Sequence, residues 1–127
     1  MNNKIILPHS HENGLGKLID AIPSNITFNK VSDTFQLISD PTRLKILWLL
    51  CHSEDCVTNI GAALKMSPPA ISHHLRILKQ AGLLTSNRYG KEVHYTLSLT
   101  EEAELVHRIV DSTFEMNCKE PECKILL

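Results

Sequence analysis

The clearest pattern in the chain is a pair of side-chain stripes with helical spacing between residues 67 and 83. Three apolar residues recur at i, i+4 and i+7, along one face of a helix: Ile71, Leu75 and Leu78. Three polar residues follow the same spacing on another face: Ser72, Arg76 and Lys79. The segment is therefore predicted to form a helix that packs on one side and presents hydrogen-bonding groups on the other.

The ends of this helix are also marked in the sequence. Ser67 is a favourable N-cap, Pro68 takes the first helical position, where proline is tolerated, and Gly82 is placed to end the helix. Residues 57–64 are long enough for a short helix, and only two residues separate them from Ser67. Two helices with so tight a connection indicate a helix-turn-helix.

A β-hairpin is predicted directly after it. Residues 83–88 and 93–97 read as two short strands, and residues 89–92 read as the turn between them. Such a hairpin would form a wing beside the helix-turn-helix.

The pattern predicts further helices over residues 27–38 and from the N-cap Asp40, with Pro41 at the first position, to about residue 51. Thr100 is predicted to cap a last helix, whose first turns are acidic and so suit the helix dipole. This helix carries a wide apolar stripe: Leu105, Val106, Ile109, Val110 and Phe114. We expect the stripe to pack against its copy in a second subunit.

Together these elements predict a mainly α (α+β) fold, a winged helix-turn-helix with a two-stranded wing and a C-terminal dimerisation helix. At 127 residues we expect one folded domain with two flanking segments. Residues 1–25 are predicted to be an N-terminal arm with a short helical segment over 15–22. Residues 26–117 would hold the DNA-binding and dimerisation domain, and residues 118–127 a tail that contains cysteine.

The net charge of −1 does not indicate a nucleic-acid-binding protein, but the distribution of charge does. Between residues 41 and 98, seven basic residues outnumber three acidic ones: Arg43, Lys45, Lys65, Arg76, Lys79, Arg88 and Lys91 against Glu54, Asp55 and Glu92. From residue 99 onward acidic residues predominate. Because no long apolar run is present, we expect no membrane association and a cytoplasmic location.

The chain has four cysteines: Cys51, Cys56, Cys118 and Cys123. In the reducing cytoplasm they are expected to be metal ligands, redox-sensing thiols or small core residues, and not a disulfide framework.

Three segments carry a family resemblance: ISDPTRLKIL at 38–47, DCV at 55–57 and SHHLRILKQAGL at 72–83. Together they resemble the ArsR/SmtB family of metal-responsive repressors over roughly residues 31–114. The resemblance implies a homodimeric winged helix-turn-helix repressor that holds operator DNA and releases it when an inducer binds. The inducer is usually a metal or metalloid ion, here of the zinc, cadmium, lead or arsenite class.

In that family the helix that begins at Ser67 would enter the major groove, with the wing reaching phosphate or the minor groove. The resemblance implies DNA contacts from five residues of the helix and two of the wing: Ser67, Ser72, His73, Arg76, Lys79, Arg88 and Lys91. His74 lies near the apolar stripe and is expected to cover the core.

Cys56 aligns with the first cysteine of the family's metal-binding box, but Thr58 and Asn59 replace its second cysteine and its aspartate. In relatives, the N-terminal arm of the other subunit completes this site. In this chain the arm would supply His9 and His11. One thiolate with two imidazoles suits Zn(II) or a similar divalent ion. Cys51 and His52 lie close enough in sequence to join, although Cys51 is expected to pack in the core.

A second family site lies across paired terminal helices and is incomplete here. Its four positions align with Leu99, Glu101, Ser112 and Glu115, of which only two are potential ligands. His107 and Asp111 are spaced i, i+4 and are expected to form a salt bridge.

The tail leaves two alternatives open. Cys118 and Cys123 would bind a soft metal or arsenite, or one of them would pair with Cys51 or Cys56 as a dithiol switch for oxidants or persulfides.

Two other classes of function are disfavoured. The sequence shows no nucleophile with its base, no phosphate-binding loop and no paired carboxylates, so we expect no enzyme. A protein-interaction module would lack salt-dependent binding to duplex DNA, which is a direct way to test for it.

Overall fold

The computed structural model describes residues 4–114 of the chain. Its elements, in chain order, are a 3-10 helix (Leu15–Ala21), α1 (Asn25–Ile38), α2 (Pro41–Leu50), β1 (Asp55–Cys56), α3 (Val57–Leu64), α4 (Pro68–Gln80), β2 (Leu84–Tyr89), β3 (Glu92–Leu97) and α5 (Glu101–Thr113). The predicted winged helix-turn-helix is confirmed, with α3 and α4 as its two helices and β2 and β3 as its wing.

Side-chain caps begin four of the helices. Asp40 accepts a hydrogen bond from the Arg43 backbone N–H at 2.9 Å, and Thr100 accepts one from Ala103 at 3.1 Å. Ser67 caps α4 through the N–H of Ala70 at 3.4 Å. These three caps were predicted, because an N-cap is a local property of the sequence. The fourth, Ser24, begins α1 two residues before the predicted start.

The sheet contains one strand more than the predicted two-stranded wing. The strand order is β1-β3-β2, with both pairings antiparallel. In the added pairing Asp55 lies opposite Tyr95, and Cys56 lies opposite His94. Two residues are too few to show an alternating pattern, which is why the sequence did not reveal β1. The strand fixes the wing to the chain just before α3.

The core lies between α2, α4 and α5. The predicted apolar stripe of α4 is fully buried, and it belongs to one core cluster with side chains from both other helices: Ile46, Leu47 and Leu50 of α2, and Val106 and Val110 of α5. The inner face of α4 is therefore anchored in the core.

The wide apolar stripe of α5, which was predicted to pack against a second subunit, is partly buried within its own subunit. Val106 and Val110 are fully buried in the core of their own subunit, and only Phe114 at the end of the stripe is clearly exposed. The exposed apolar stripe lies instead on α1, where Phe28, Val31 and Phe35 share one face. The apolar surface left for a partner is thus mainly on α1.

The connection between α3 and α4 depends on close backbone approach. Lys65 adopts a left-handed conformation, with φ of 56°, and ends α3. A Cβ on Gly61 would lie 2.8 Å from the Met66 carbonyl oxygen, so only glycine fits there. Among the described residues, no helix is long and apolar enough to cross a membrane.

Candidate DNA-binding surface and metal-ligand cluster

The outer face of α4 presents the predicted DNA-contacting side chains to solvent. His73, Arg76 and Lys79 are exposed, whereas Ser72 is half-buried. His74 is half-buried, and its ring meets that of His73 edge-on with centroids 5.6 Å apart. The expectation that His74 partly covers the core agrees with this position. A row of exposed donors on a capped helix can reach base edges or phosphates.

The wing carries the other two predicted DNA contacts, Arg88 and Lys91, which are both exposed. Arg88 donates through Nε to the carbonyl of Gly90 at 3.2 Å, which holds its side chain along the turn. Gly90 has a φ of 64°, the left-handed conformation that this tight turn requires. Two cations thus lie at the end of the hairpin farthest from the core.

Glu54 ties the wing to the loop before β1. It accepts a hydrogen bond from the Asn87 side chain at 2.9 Å. Hydrogen bonds from the Tyr89 hydroxyl and from Asn87 lower the pKa of Glu54 below its ordinary value of 4.5. The hydrogen bond to Glu54 also raises the pKa of the Tyr89 hydroxyl above its ordinary value of 10.0. The ionised carboxylate is the form that holds the strand β2.

Cys56, the predicted thiolate ligand, is buried where β1 meets α3. Beside it, Oδ1 of Asp55 accepts from the Cys56 backbone N–H and from the Asn59 side-chain amide, both at 2.8 Å. Burial tends to raise the pKa of Asp55, but these hydrogen bonds outweigh it and the pKa is lowered. Asn59, which replaces the aspartate of the family's box, here serves to hold Asp55.

The predicted arm ligands His9 and His11 are exposed, with their rings stacked at 6.1 Å between centroids. Within one subunit, across residues 4–114, they form no group of three metal-ligating atoms with Cys56. The prediction takes the arm from the other subunit and stays a prediction. Cys118 and Cys123 lie outside the described residues.

In the described part of the chain, a different group of three brings potential metal ligands together: His52, His107 and Asp111. His52 Nε2 lies 3.0 Å from Oδ1 of Asp111, and His107 Nε2 lies 3.3 Å from Oδ2 of the same carboxylate. The His52 and His107 rings meet edge-on at 4.9 Å. The predicted i, i+4 pair on α5 is therefore real, but it has a third member.

Sequence reasoning missed this group because His52 follows α2 and its partners lie on α5. Packing of α2 on α5 brings them together across a separation of 59 positions. Two sequence signals existed, a histidine at the end of a core helix and the His107–Asp111 spacing, but nothing in the sequence joined them.

Several known proteins resemble this chain in sequence. Residues 40–86 match the family model described as a bacterial regulatory protein of the arsR family. The transcriptional repressor SdpR of Bacillus subtilis is 43% identical over 70 residues, which are 55% of this chain and 78% of SdpR. The cadmium resistance regulatory protein CadC of Listeria innocua is 35% identical over 97 residues, 75% of this chain and 81% of CadC.

The chain belongs to the arsR family. A further relative, the transcriptional repressor SmtB homolog of Synechocystis, is 34% identical over 82 residues, which are 65% of this chain and 62% of the relative. The chain thus spans less than two thirds of that relative. The family named in these matches consists of transcriptional regulators, and the predicted family resemblance is confirmed.

Solved structures of arsR-family regulators share the fold. The antimony-specific transcriptional repressor AntR superposes with a TM-score of 0.66 at 26% identity, covering 80% of this chain and 89% of AntR. The homodimeric winged helix-turn-helix domain of Mb0332 from Mycobacterium bovis gives 0.62 at 25% identity, covering 80% and 96%.

Proposed function

We propose that this arsR-family protein is a cytoplasmic homodimeric repressor that binds operator DNA and releases it when a metal or metalloid ion binds. The observation that carries the proposal is the geometry of α4, whose apolar stripe is fully buried while His73, Arg76 and Lys79 are exposed. The names of SdpR, CadC and AntR, which describe repressors or resistance regulators, support the same function.

The DNA-contacting set is the one predicted from the sequence. Arg76 and His73 would read base edges or phosphates from the middle of α4, and Ser72 would assist from its half-buried position. Ser67 caps the N-terminal end of α4, which is a favourable place for a phosphate. Lys79, Arg88 and Lys91 would add phosphate contacts on either side.

The exposed apolar face of α1 supports a dimer. Phe28 and Phe35 are about half exposed, at 52% and 48%, and Ile26 on the same helix reaches 79%. Such a surface is costly to leave in water and suits a two-fold interface.

The proposed inducer site joins Cys56 of one subunit to His9 and His11 of the other. The donor set of one thiolate and two imidazoles favours Zn(II), with Cd(II), Pb(II) and As(III) as related inducers. The exposure of both histidines leaves them accessible to a partner subunit. Cys118 and Cys123 would add soft ligands from the tail.

The test uses the full-length, reduced, metal-free protein and a DNA duplex selected from a random pool. Fluorescence anisotropy at several salt concentrations should give salt-dependent binding to the selected duplex, and Zn(II), Cd(II), Pb(II) or As(III) should release it. Absence of duplex binding would overturn the proposal that the protein is a DNA-binding repressor. If none of these ions releases the duplex, but a disulfide-forming oxidant or a persulfide does, the protein is a thiol switch and not a metal sensor.

A further inference from the structure

We propose that His52, His107 and Asp111 form a metal site within each subunit, made only of nitrogen and oxygen ligands and separate from the Cys56 site. The site lies between the end of α2 and the middle of α5. It would take Zn(II) or a similar borderline divalent ion, and it needs neither a thiol nor a second subunit.

The ligand atoms already converge. The candidate ligand atoms of the three residues all lie within 4.8 Å of one another, and both imidazoles direct Nε2 at the Asp111 carboxylate. Around a tetrahedral zinc with bonds of about 2.1 Å, neighbouring ligand atoms are about 3.4 Å apart. The two histidine–carboxylate separations, 3.0 Å from His52 to Oδ1 and 3.3 Å from His107 to Oδ2, are each close to that value, and each histidine faces a different oxygen of Asp111.

The surroundings suit an ion that enters from one side. The His52 side chain is only 4% exposed, whereas those of His107 and Asp111 are each 23% exposed. The exposed edge gives an entry path, and the half-buried carboxylate supplies the negative charge that a divalent ion needs. Two histidines and one carboxylate leave a fourth position for water, as in three-ligand zinc sites.

The backbone holds the ligands in place without the metal. His107 and Asp111 are one turn apart on α5, and His52 directly follows Cys51, the C-cap residue of α2. Val106 and Val110, which alternate with the two α5 ligands, are fully buried against the core. A metal ion at this place would join α2 to α5 and stabilise the folded subunit, because it binds the assembled site and not the unfolded chain.

Cobalt(II) is the probe for the test, since it occupies zinc sites and its absorption reports the ligands. We expect the triple variant Cys56→Ser, Cys118→Ser and Cys123→Ser, which lacks the thiols proposed for inducer binding, to bind one cobalt ion per chain. Its spectrum should show d–d bands of a nitrogen- and oxygen-ligated ion and no thiolate charge-transfer absorption. In that background, Asp111→Asn and His107→Gln should each weaken cobalt and zinc binding at least about tenfold. Glu104→Gln, an exposed change on the same helix, is the matched control and should bind as before.

Thermal unfolding provides a second measurement. Zn(II) should raise the Tm of the triple cysteine variant by several degrees and leave the Tm of its Asp111→Asn derivative unchanged. Circular dichroism establishes that each variant is folded before titration, and His107→Gln replaces Asp111→Asn should the latter fail to fold. Cobalt affinity and zinc-dependent Tm that are unchanged in both ligand variants would overturn the site. Neither readout involves DNA, so the result is independent of operator release.

Discussion

Lys79 on α4 donates a 2.7 Å hydrogen bond from Nζ to Oγ of Ser86 on β2. The bond connects α4 to the wing through two polar side chains that lie next to the proposed DNA surface. Lys79 is exposed, so its ammonium group remains within reach of solvent and of a phosphate. The same side chain thus has one partner without DNA and a proposed second partner with it.

Replacing Lys79 and Ser86 separately distinguishes these two partners. Lys79→Met should weaken binding uniformly across duplex sequences and lower the salt slope of log K by about two per dimer, because each subunit loses one phosphate contact. Ser86→Ala should keep the salt slope and cost at most about 1 kcal/mol in the free energy of unfolding. Anisotropy titrations at four salt concentrations provide the measurement. An unchanged slope for Lys79→Met would remove Lys79 from the DNA-contacting set.

The double variant His73→Ala and Arg76→Ala tests the reading helix itself. Both side chains are exposed and neither supports the core, so we expect a folded dimer that no longer binds the selected duplex. Loss of one good base contact costs about 1–3 kcal/mol, and the proposed dimer loses four contacts. The total of about 4–12 kcal/mol is comparable with the usual margin of about 4–10 kcal/mol over non-specific binding. Glu104→Ala, exposed on α5, serves as the control. Retained sequence preference would show that another element reads the DNA.

The α4 helix illustrates what the sequence alone could provide. Its cap at Ser67, its proline at the first turn and its buried stripe are local features, so the pattern predicted them directly. The strand β1 and the group formed by His52 with the α5 pair depend on tertiary packing, which no local pattern records. The exposed face of α1 was missed for a similar reason. The sequence of α5 does not show that Val106 and Val110 of its apolar stripe are buried in the core of their own subunit.

Leu75→Ala should be strongly destabilising. The side chain is fully buried at the centre of the apolar stripe of α4, so its removal leaves a cavity between helices. Such changes cost about 2–5 kcal/mol in the free energy of unfolding. Leu99→Ala, at a fully exposed leucine, should change stability by less than about 0.5 kcal/mol. Urea unfolding at fixed protein concentration compares the two, and equal midpoints would contradict the assigned core.

Gly61→Ala tests the close approach of α3 to the turn. The new Cβ would lie 2.8 Å from the carbonyl oxygen of Met66, a backbone atom that cannot move without shifting α4. We expect a loss of about 1–3 kcal/mol despite the better helix propensity of alanine. Ala62→Ser, one position later and exposed, is the control. A more stable Gly61→Ala protein would show that the turn relaxes freely.

The Glu54 tie predicts a pH dependence of stability. Because folding lowers the pKa of Glu54, its contribution is fully present above the ordinary value of 4.5 and is lost as the pH falls through the lowered value. The wild-type protein should therefore be more stable than Glu54→Gln near neutral pH, and the difference should shrink in acid. Urea unfolding of both proteins between about pH 6 and pH 3 measures it. A difference that stays constant with pH would assign the tie to hydrogen bonding without charge.

Cys56→Ser addresses the inducer site. Cys56 lies at the start of α3 without a side-chain cap bond, and its pairing with His94 in the sheet is a backbone interaction. The substitution should therefore leave the fold and duplex binding intact. Release of the duplex by Zn(II) should be abolished or need about tenfold more metal, because serine replaces the thiolate ligand.

Cys51→Ala is the matched control, since it removes a buried thiol that lies outside the proposed site. The double variant His9→Gln and His11→Gln should reproduce the loss of release, because it removes the two imidazoles that the other subunit would supply in the proposed site. A normal response in Cys56→Ser together with a lost response in Asp111→Asn would transfer induction from the Cys56 site to the α2–α5 cluster.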